Sequence, residues 1–211
     1  MKYYIDITLL PDAEISLGFL WQKVYQQIHL VLVEHKTGEN ESAVALSIPG
    51  YGAKPFPLGN KLRLLASSSG QLEQLNISDW LSRYTDYAHV TSVKSVPEDI
   101  ESYVSFQRKH VKGEGRRASS LINKAQHQSE KFGLDFEECL EKLKAISDKA
   151  DSKLPFIWLE SQQTKKRTPE TSGRFPLFIE KVDAKAPVLG TFNCYGLSSK
   201  QDELVATVPW F

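Results

Sequence analysis

The first 95 residues alternate between β-rich and helix-periodic segments, and this order restricts the folds open to the chain. Residues 2–10 are β-rich and end at a Pro-Asp turn. Ser16 can cap a helix whose apolar residues recur at the helical period as far as Val31. Further strands are predicted at residues 43–48, 62–67 and 89–96, and a second helix at 72–84. The predicted order is therefore β-α-β-β-α-β.

That order is the ferredoxin-like arrangement, which RNA-recognition modules share with many unrelated proteins, so it does not decide function. We predict an α+β protein with a ferredoxin-like domain at residues 1–96. A C-terminal α+β domain with a basic RNA-binding helix would follow at residues 97–211, after the Pro97-Glu98-Asp99 boundary. The first domain lacks the aromatic strand motif of RNA-recognition modules, and its basic and acidic residues nearly balance. Any nucleic-acid contact is therefore expected from the second half.

The second half carries segregated charge, although the net charge of the chain is zero. Residues 108–131 contain seven Lys or Arg against two acidic residues, whereas residues 135–151 are acidic and include a second predicted helix, residues 136–150. Residues 103–111 alternate as a strand or extended arm, which puts Arg108 and His110 on one side. A basic helix then begins near Arg116 and continues past Lys124. Such a helix can lie in the groove of a duplex, or it can be an ordinary solvated face.

Composition and cysteine usage limit the class of protein. The apolar fraction of 41% and the charged fraction of 25% are those of a soluble globular protein. No apolar run reaches the roughly 18 residues of a membrane span, so we expect a cytoplasmic protein without membrane contact. Cys139, in a predicted helix, and Cys194, in a predicted strand, form neither a disulfide framework nor metal-ligand spacing. No metal and no cofactor are expected.

Two short segments rich in aromatic and β-branched residues predict a pair of strands at residues 154–164 and 174–180. A polar loop, residues 165–173, joins them; its basic residues could contact phosphate or be simply solvated. The first strand ends in small polar side chains, Ser161, Gln162, Gln163 and Thr164. Most polar strand ends are turns, but a strand end is also a rigid place for reactive groups.

Cleavage of RNA without a metal needs a base for the ribose 2′-hydroxyl and groups that hold it against the adjacent phosphorus. Histidine suits the proton transfer because its unperturbed pKa lies near 6.5. His29 on the first helix is a candidate base, Ser161 could hold the 2′-oxygen, and Tyr195 could orient the imidazole or the phosphate. Spacing alone leaves this set open, because the three residues are far apart and histidines on helix flanks are mostly structural.

Several short motifs, each present once, follow one another along nearly the full chain. They are residues 4–7 (YIDI), Pro11-Asp12, His29, residues 154–156 (LPF), Ser161-Gln162, residues 174–179 (RFPLFI), residues 194–198 (CYGLS) and residues 208–211 (VPWF). In this set the chain resembles the CRISPR-associated endoribonucleases of type I-F systems, the repeat-processing "Cas six f" family. The resemblance implies cleavage of CRISPR repeat RNA at the 3′ base of a hairpin, without metal. It also implies that the protein stays on the mature guide RNA beside the other subunits of an interference complex.

The resemblance also implies roles for individual residues. His29 corresponds to the general base, Ser161 to the residue that positions the 2′-hydroxyl, and Tyr195 to an orienting residue. Arg108 and His110 match the pair that reads bases, and Phe175 matches the aromatic that stacks on the terminal base pair, although a core role would be the ordinary reading of this residue. The RNA-binding set expected on these grounds is Arg108, His110, Lys112, Arg116, Arg117, Lys124, Gln162, Gln163 and Phe175.

The chain departs from the family pattern at several positions. His110 replaces a glutamine, Gln163 replaces a serine, and the basic helix has fewer arginines than in the most basic members. Fewer arginines predict fewer phosphate contacts and a shallower salt dependence. Two other functions stay open: a hairpin-binding subunit without catalysis, which a cleavage assay would identify, and an assembly module that binds no RNA, which a gel shift would identify.

Overall fold

The computed structural model describes residues 1–110, 114–150, 154–161, 173–201 and 204–211; side chains at 114–120, 144–150, 200, 201 and 204 are outside this description. The chain forms two compact units, one of Met1–Arg108 with Pro155–Phe211 and the other of Lys109–Leu154. Helices and antiparallel sheets are both present, which confirms the α+β class. The predicted division at residues 96 and 97 stays a prediction.

The first sheet contains the predicted N-terminal strands. Strands β1 (Tyr3–Leu9), β2 (Ala45–Ser47), β3 (Lys61–Ala66) and β4 (Ala88–Val90) lie in the order β2-β3-β1-β4, and each neighbouring pair is antiparallel. The single strand predicted at residues 89–96 is wrong: residues 91–93 interrupt it, and a second short strand, β5 (Lys94–Ser95), also pairs with β1. These strands and the helices between them follow the predicted sequence order, while the ferredoxin-like assignment itself stays a prediction.

Helix α1 (Leu17–Glu34) begins at the predicted cap, because the Ser16 side chain accepts a hydrogen bond from the Phe19 N–H at 3.4 Å. Its apolar face is fully buried in the main core, including Trp21, Tyr25 and Ile28. Burial of each such side chain contributes about 1.5–3 kcal/mol. This packing fixes the rotation of the helix, and therefore the direction of the polar residues beside the apolar stripe.

The single helix predicted at residues 72–84 is wrong. The structure has two short helices, α2 (Ser69–Glu73) and α3 (Ile77–Trp80), followed by a 3-10 turn at Ser82–Tyr84. Asn76 separates the two helices with a φ of +46°, a left-handed conformation that asparagine tolerates better than most residues. Leu72, Ile77 and Leu81, on both sides of this break, are nevertheless buried in the main core.

The second sheet contains the predicted strand pair. Strands β6 (Tyr103–Lys109), β7 (Phe156–Glu160) and β8 (Arg174–Ala184) combine with β11 (Val208–Pro209) in the order β11-β6-β8-β7. A separate two-stranded sheet is formed by β9 (Lys200–Gln201) and β10 (Leu204–Val205). Glu160 and Arg174 are the last cross-strand partners of the antiparallel β7 and β8. A hydrogen bond of 2.8 Å from the Ser161 N–H to the Gly173 carbonyl continues the pairing by one residue.

The second unit consists of two helices, α4 (Glu114–Phe132) and α5 (Phe136–Ala150). They pack around a small cluster that includes Ala125, Cys139 and Leu140. Both helices were predicted, and the predicted site residue Lys124 is exposed on α4. Among the residues that the structure describes, no helix is long and apolar enough to cross a membrane.

Candidate active site

The turn at residues 193–197 carries Tyr195, and hydrogen bonds within the turn fix its shape. The Asn193 Oδ1 accepts from the N–H groups of Tyr195, at 2.9 Å, and Leu197, at 3.3 Å. Gly196 has a φ of +71°, and its carbonyl accepts from the N–H of Leu46 in β2 at 2.8 Å. The strand predicted around Cys194 is therefore wrong, because the asparagine side chain closes a turn where a strand would continue.

Helix α1 holds this turn at two adjacent carbonyls. The hydroxyl of the fully buried Tyr25 donates to the Tyr195 carbonyl at 2.8 Å, and the His29 Nδ1 lies 2.9 Å from the Cys194 carbonyl. Burial raises the pKa of Tyr25, so its hydroxyl keeps the proton that it donates. A carbonyl can only accept, so Nδ1 carries the hydrogen of the neutral imidazole. The His29 Nε2 is then the unprotonated nitrogen, which is the one that can act as a base.

The His29 ring stacks on the Tyr195 ring, with centroids 4.2 Å apart and planes 7° apart. Burial lowers the pKa of His29, the hydrogen bond to Cys194 opposes this shift, and the positive charge of Arg108 lowers the pKa further. The imidazole is therefore neutral near pH 7. A neutral ring with a fixed orientation and an unprotonated Nε2 is what proton abstraction requires.

Arg108, near the end of β6, brings a positive charge to the same place. Its guanidinium carbon lies 5.3 Å from the centre of the Tyr195 ring and 5.5 Å from the centre of the Phe175 ring. Phe175 opposes Leu159 across β7 and β8 and packs against the main core, yet it also lines the cleft described below. The ordinary core role of Phe175 and a position at the cleft are thus both present.

These side chains line one cleft of about 420 Å³. It brings together His29 from α1, Ser161 after β7 and Tyr195 from the turn, together with Arg108 and Phe175. The remaining lining residues are Gln26, Leu30, Val33, Lys36, Glu39, Asn40, Glu160 and Cys194. A base, a hydroxyl and a cation from distant parts of the sequence are therefore gathered around one open space.

The other predicted RNA-binding residues are described only in part. His110 is exposed after β6 and belongs, like Lys124, to the second unit. Arg116 and Arg117 lie in α4, but their side chains are outside the description. Lys112, Gln162 and Gln163 lie outside the described residues, as does almost all of the loop at residues 165–173. Their contacts with RNA stay predictions.

Gln26 also lines the cleft, although it is not among the site residues predicted from the sequence. Its Oε1 accepts a hydrogen bond from the Glu160 N–H at 2.8 Å. The available signal was its spacing: Gln22, Gln26 and His29 are separated by four and three residues and so share one line on a helix.

Within the described ranges of the chain, no group of three or more His, Cys, Asp and Glu side chains could hold a metal ion.

Comparison with known proteins places the chain in a family. The model of the family described as "CRISPR-associated protein (Cas_Csy4)" matches residues 4–211. A protein of Escherichia coli (strain UTI89 / UPEC), named CRISPR-associated endonuclease Cas6/Csy4, is 32% identical over 212 residues, which cover 100% of both chains. A protein of the same name from Pseudomonas aeruginosa (strain UCBPP-PA14) is 28% identical over 215 residues, again 100% of both chains. Because the family model matches nearly the whole sequence, the chain belongs to the CRISPR-associated Cas_Csy4 family.

Proposed function

We propose that this chain is a metal-independent endoribonuclease that cuts CRISPR repeat RNA at the 3′ base of a hairpin. The observation that carries the proposal is the state of His29. The His29 Nδ1 is bonded to the Cys194 carbonyl, so Nε2 is the unprotonated nitrogen. His29 lines the same cleft as Ser161 and Arg108. Family membership and the relatives named as endonucleases support it. These residues provide a base, a hydroxyl and a cation for one reaction.

In the proposed reaction the His29 Nε2 removes the proton of a ribose 2′-hydroxyl. The 2′-oxygen attacks the adjacent phosphorus, the bond from phosphorus to the 5′-oxygen breaks, and the 5′-oxygen takes up a proton, which the imidazolium can return. The products are a 2′,3′-cyclic phosphate and a 5′-hydroxyl. The Ser161 hydroxyl orients the 2′-oxygen, and Tyr195 holds the imidazole by stacking. The Arg108 charge stabilises the negative charge that develops on the phosphate.

Recognition of the hairpin is proposed to use base readers, a stacking aromatic residue and phosphate contacts. Arg108 and His110 read bases, and Phe175 stacks on the base pair beside the cut, an interaction worth about 1–3 kcal/mol per base. Lys112, Arg116, Arg117 and Lys124 contact phosphates, and Gln162 and Gln163 contact RNA near Ser161. The basic region around α4 in a chain of zero net charge supports this division. The protein then remains on the mature guide RNA as a subunit of the type I-F interference complex.

Replacement of the proposed base tests the function. We expect His29→Ala to lower the single-turnover cleavage rate of a labelled repeat hairpin by about 10²–10⁴-fold, because a positioned general base contributes that much. Affinity for a hairpin with a 2′-deoxy nucleotide at the cut should change by less than about threefold, since a loss of catalysis alone leaves the binding free energy nearly unchanged. His89→Ala is the matched control, since His89 is exposed on β4.

Two outcomes would count against this assignment. Cleavage by His29→Ala at the rate of His89→Ala would remove His29 as the base. A parallel loss of hairpin affinity and of thermal stability would mean that His29 holds the turn at residues 193–197 without taking part in proton transfer.

A further inference from the structure

Two glutamines of α1 contact the end of the β7–β8 pair from which Ser161 follows. The Gln22 Oε1 accepts from the Arg174 Nη2 at 2.8 Å, and the Gln26 Oε1 accepts from the Glu160 N–H at 2.8 Å. Glu160 and Arg174 oppose each other in register. The helix is therefore bonded to both strands at the same cross-strand pair.

The contact lies on a short path between two residues of the proposed site. Gln26 precedes His29 by one helical turn on the same side of α1. Its partner Glu160 directly precedes Ser161, whose N–H is in turn bonded to the Gly173 carbonyl. One helical turn, one hydrogen bond and one peptide unit thus connect the imidazole to the serine.

The orientation of the Gln26 amide is fixed by its partner. Only the oxygen can accept from the Glu160 N–H, so Nε2 must point the other way. Nε2 is buried and has no hydrogen-bond partner among the residues that the structure describes. A buried donor without a partner is unfavourable, and an apolar side chain of similar size would avoid it. The glutamine is therefore better explained by the bond that its oxygen makes than by packing.

We propose that Gln26 is a positioning residue, which holds the end of β7 against α1 and so sets Ser161 opposite His29. Gln22 assists from the partner strand through Arg174. This inference rests on the proposed function, because a positioned Ser161 matters only if the cleft carries out the cleavage. Gln26 is not proposed to contact the reacting atoms.

A methionine at position 26 removes the acceptor oxygen and keeps the volume. We expect Gln26→Met to lower the single-turnover rate at saturating protein by about 10–100-fold, since small errors in position have large effects on rate. Affinity for the 2′-deoxy hairpin should stay within about threefold. Gln27→Met is the matched control, because Gln27 is the next residue and is also half-buried. Gln26→Glu keeps an acceptor oxygen and should recover most of the rate at about pH 8, where His29 is neutral.

A second measurement tests the contact without using activity. Hydrogen exchange of the Glu160 amide should be faster in Gln26→Met than in Gln27→Met, because this amide loses its acceptor. Unchanged exchange would overturn the inference, as would a Gln26→Met protein that cleaves as fast as the control. A wild-type protein that does not cleave the hairpin, with Glu160 exchange still dependent on Gln26, would instead contradict the proposed function. Wild-type cleavage with a Gln26-independent rate would overturn only the positioning role.

Discussion

At the scale of single residues, the state of His29 decides whether the cleft can remove a proton. Its Nδ1–H is used by the Cys194 carbonyl, and Tyr195 stacks against the ring. These contacts select one tautomer and one orientation, and burial keeps the ring uncharged. In the proposed reaction, a histidine already held in this state before RNA binds avoids a cost of reorganisation during proton abstraction.

The same contacts predict the pH dependence of cleavage. Burial lowers the pKa of His29 below its ordinary value of 6.5, so more than half of the imidazole is still unprotonated when the pH has fallen to 6.5. We expect the single-turnover rate to be flat around pH 7 and to decline only below pH 6.5, as Nε2 becomes protonated. A rate that already falls by half at or above pH 6.5 would contradict the neutral buried imidazole.

The sequence identifies some residues of the candidate site and not others. His29, Ser161 and Tyr195 could be proposed because their types fit the chemistry and the family motifs mark their positions. Gln26 could not, because its role depends on a backbone N–H that is 134 residues away in the sequence. The helical spacing of Gln22, Gln26 and His29 places Gln26 beside His29, but it does not show the distant backbone group to which Gln26 bonds.

At the scale of elements, the turn at residues 193–197 determines where Tyr195 lies. The turn depends on Gly196, whose φ is +71° and whose missing Cβ would lie 2.8 Å from the Leu46 Cβ. β2 therefore lies so close to the turn that only glycine fits. Gly52 has a φ of +87°, but no atom lies within 4 Å of its missing Cβ.

This pair of glycines allows strain and steric overlap to be separated. Gly52→Ala should lower the free energy of unfolding by about 1–3 kcal/mol through backbone strain alone. Gly196→Ala should cost about 1–3 kcal/mol more, because the added methyl group also overlaps Leu46. Urea unfolding measures both values. Equal losses of unfolding free energy in the two variants would contradict the close contact between β2 and the turn.

The elements themselves were predictable where local pattern and tertiary packing agree. The helix period and Ser16 gave α1, and the aromatic segments gave the β7–β8 pair, although β7 ends at Glu160 and β8 continues to Ala184. The sequence predicts neither the break at Asn76 nor the turn at Cys194. In both places an asparagine interrupts the regular structure, but the surrounding residue pattern is still that of a helix or a strand.

At the scale of the whole molecule, the order of elements predicts the α+β class, but it does not predict which segments form each compact unit. Residues 155–211 join residues 1–108 in one unit. The bonds that join them are long-range: Ser42 to Phe192, Ser198 to Phe106 and Trp210 to Ser102. Local periodicity carries no information on such pairings. The sequence therefore predicts a boundary at Pro97 but does not predict which distant segments pack into one unit.

A buried ion pair connects the first sheet to Phe211. The Arg63 Nε and Nη2 donate to the Asp6 carboxylate at 2.6 and 3.0 Å, and Nη1 donates to the Phe211 carbonyl at 2.8 Å. The guanidinium also lies 3.9 Å from the centre of the Phe211 ring. Burial raises the pKa of Asp6, but the bonds and the charge of Arg63 outweigh this effect and lower the pKa overall.

Loss of the arginine should therefore destabilise the unit strongly. We expect Arg63→Met to lower the free energy of unfolding by about 3–5 kcal/mol at pH 7, because a buried carboxylate is left without its partner. The matched control is Lys61→Met, which removes the half-exposed ion pair to the same Asp6 at 3.5 Å and should cost at most about 1 kcal/mol. The difference between the variants should shrink as the pH falls towards the ordinary Asp pKa of 3.8 and below, where Asp6 becomes protonated. Equal losses at pH 7 would contradict the assigned role of Arg63.

We propose above that the cleft cuts a CRISPR repeat hairpin by attack of a 2′-hydroxyl. The most direct measurement is incubation of the wild-type protein with a labelled repeat hairpin in excess EDTA, followed by analysis of the 3′ end of the product. We expect one cut at the 3′ base of the hairpin, a 2′,3′-cyclic phosphate on the product, and no cleavage when the nucleotide before the cut is 2′-deoxy. A product with a 3′-hydroxyl, or cleavage that is lost in EDTA and restored by Mg²⁺, would contradict it.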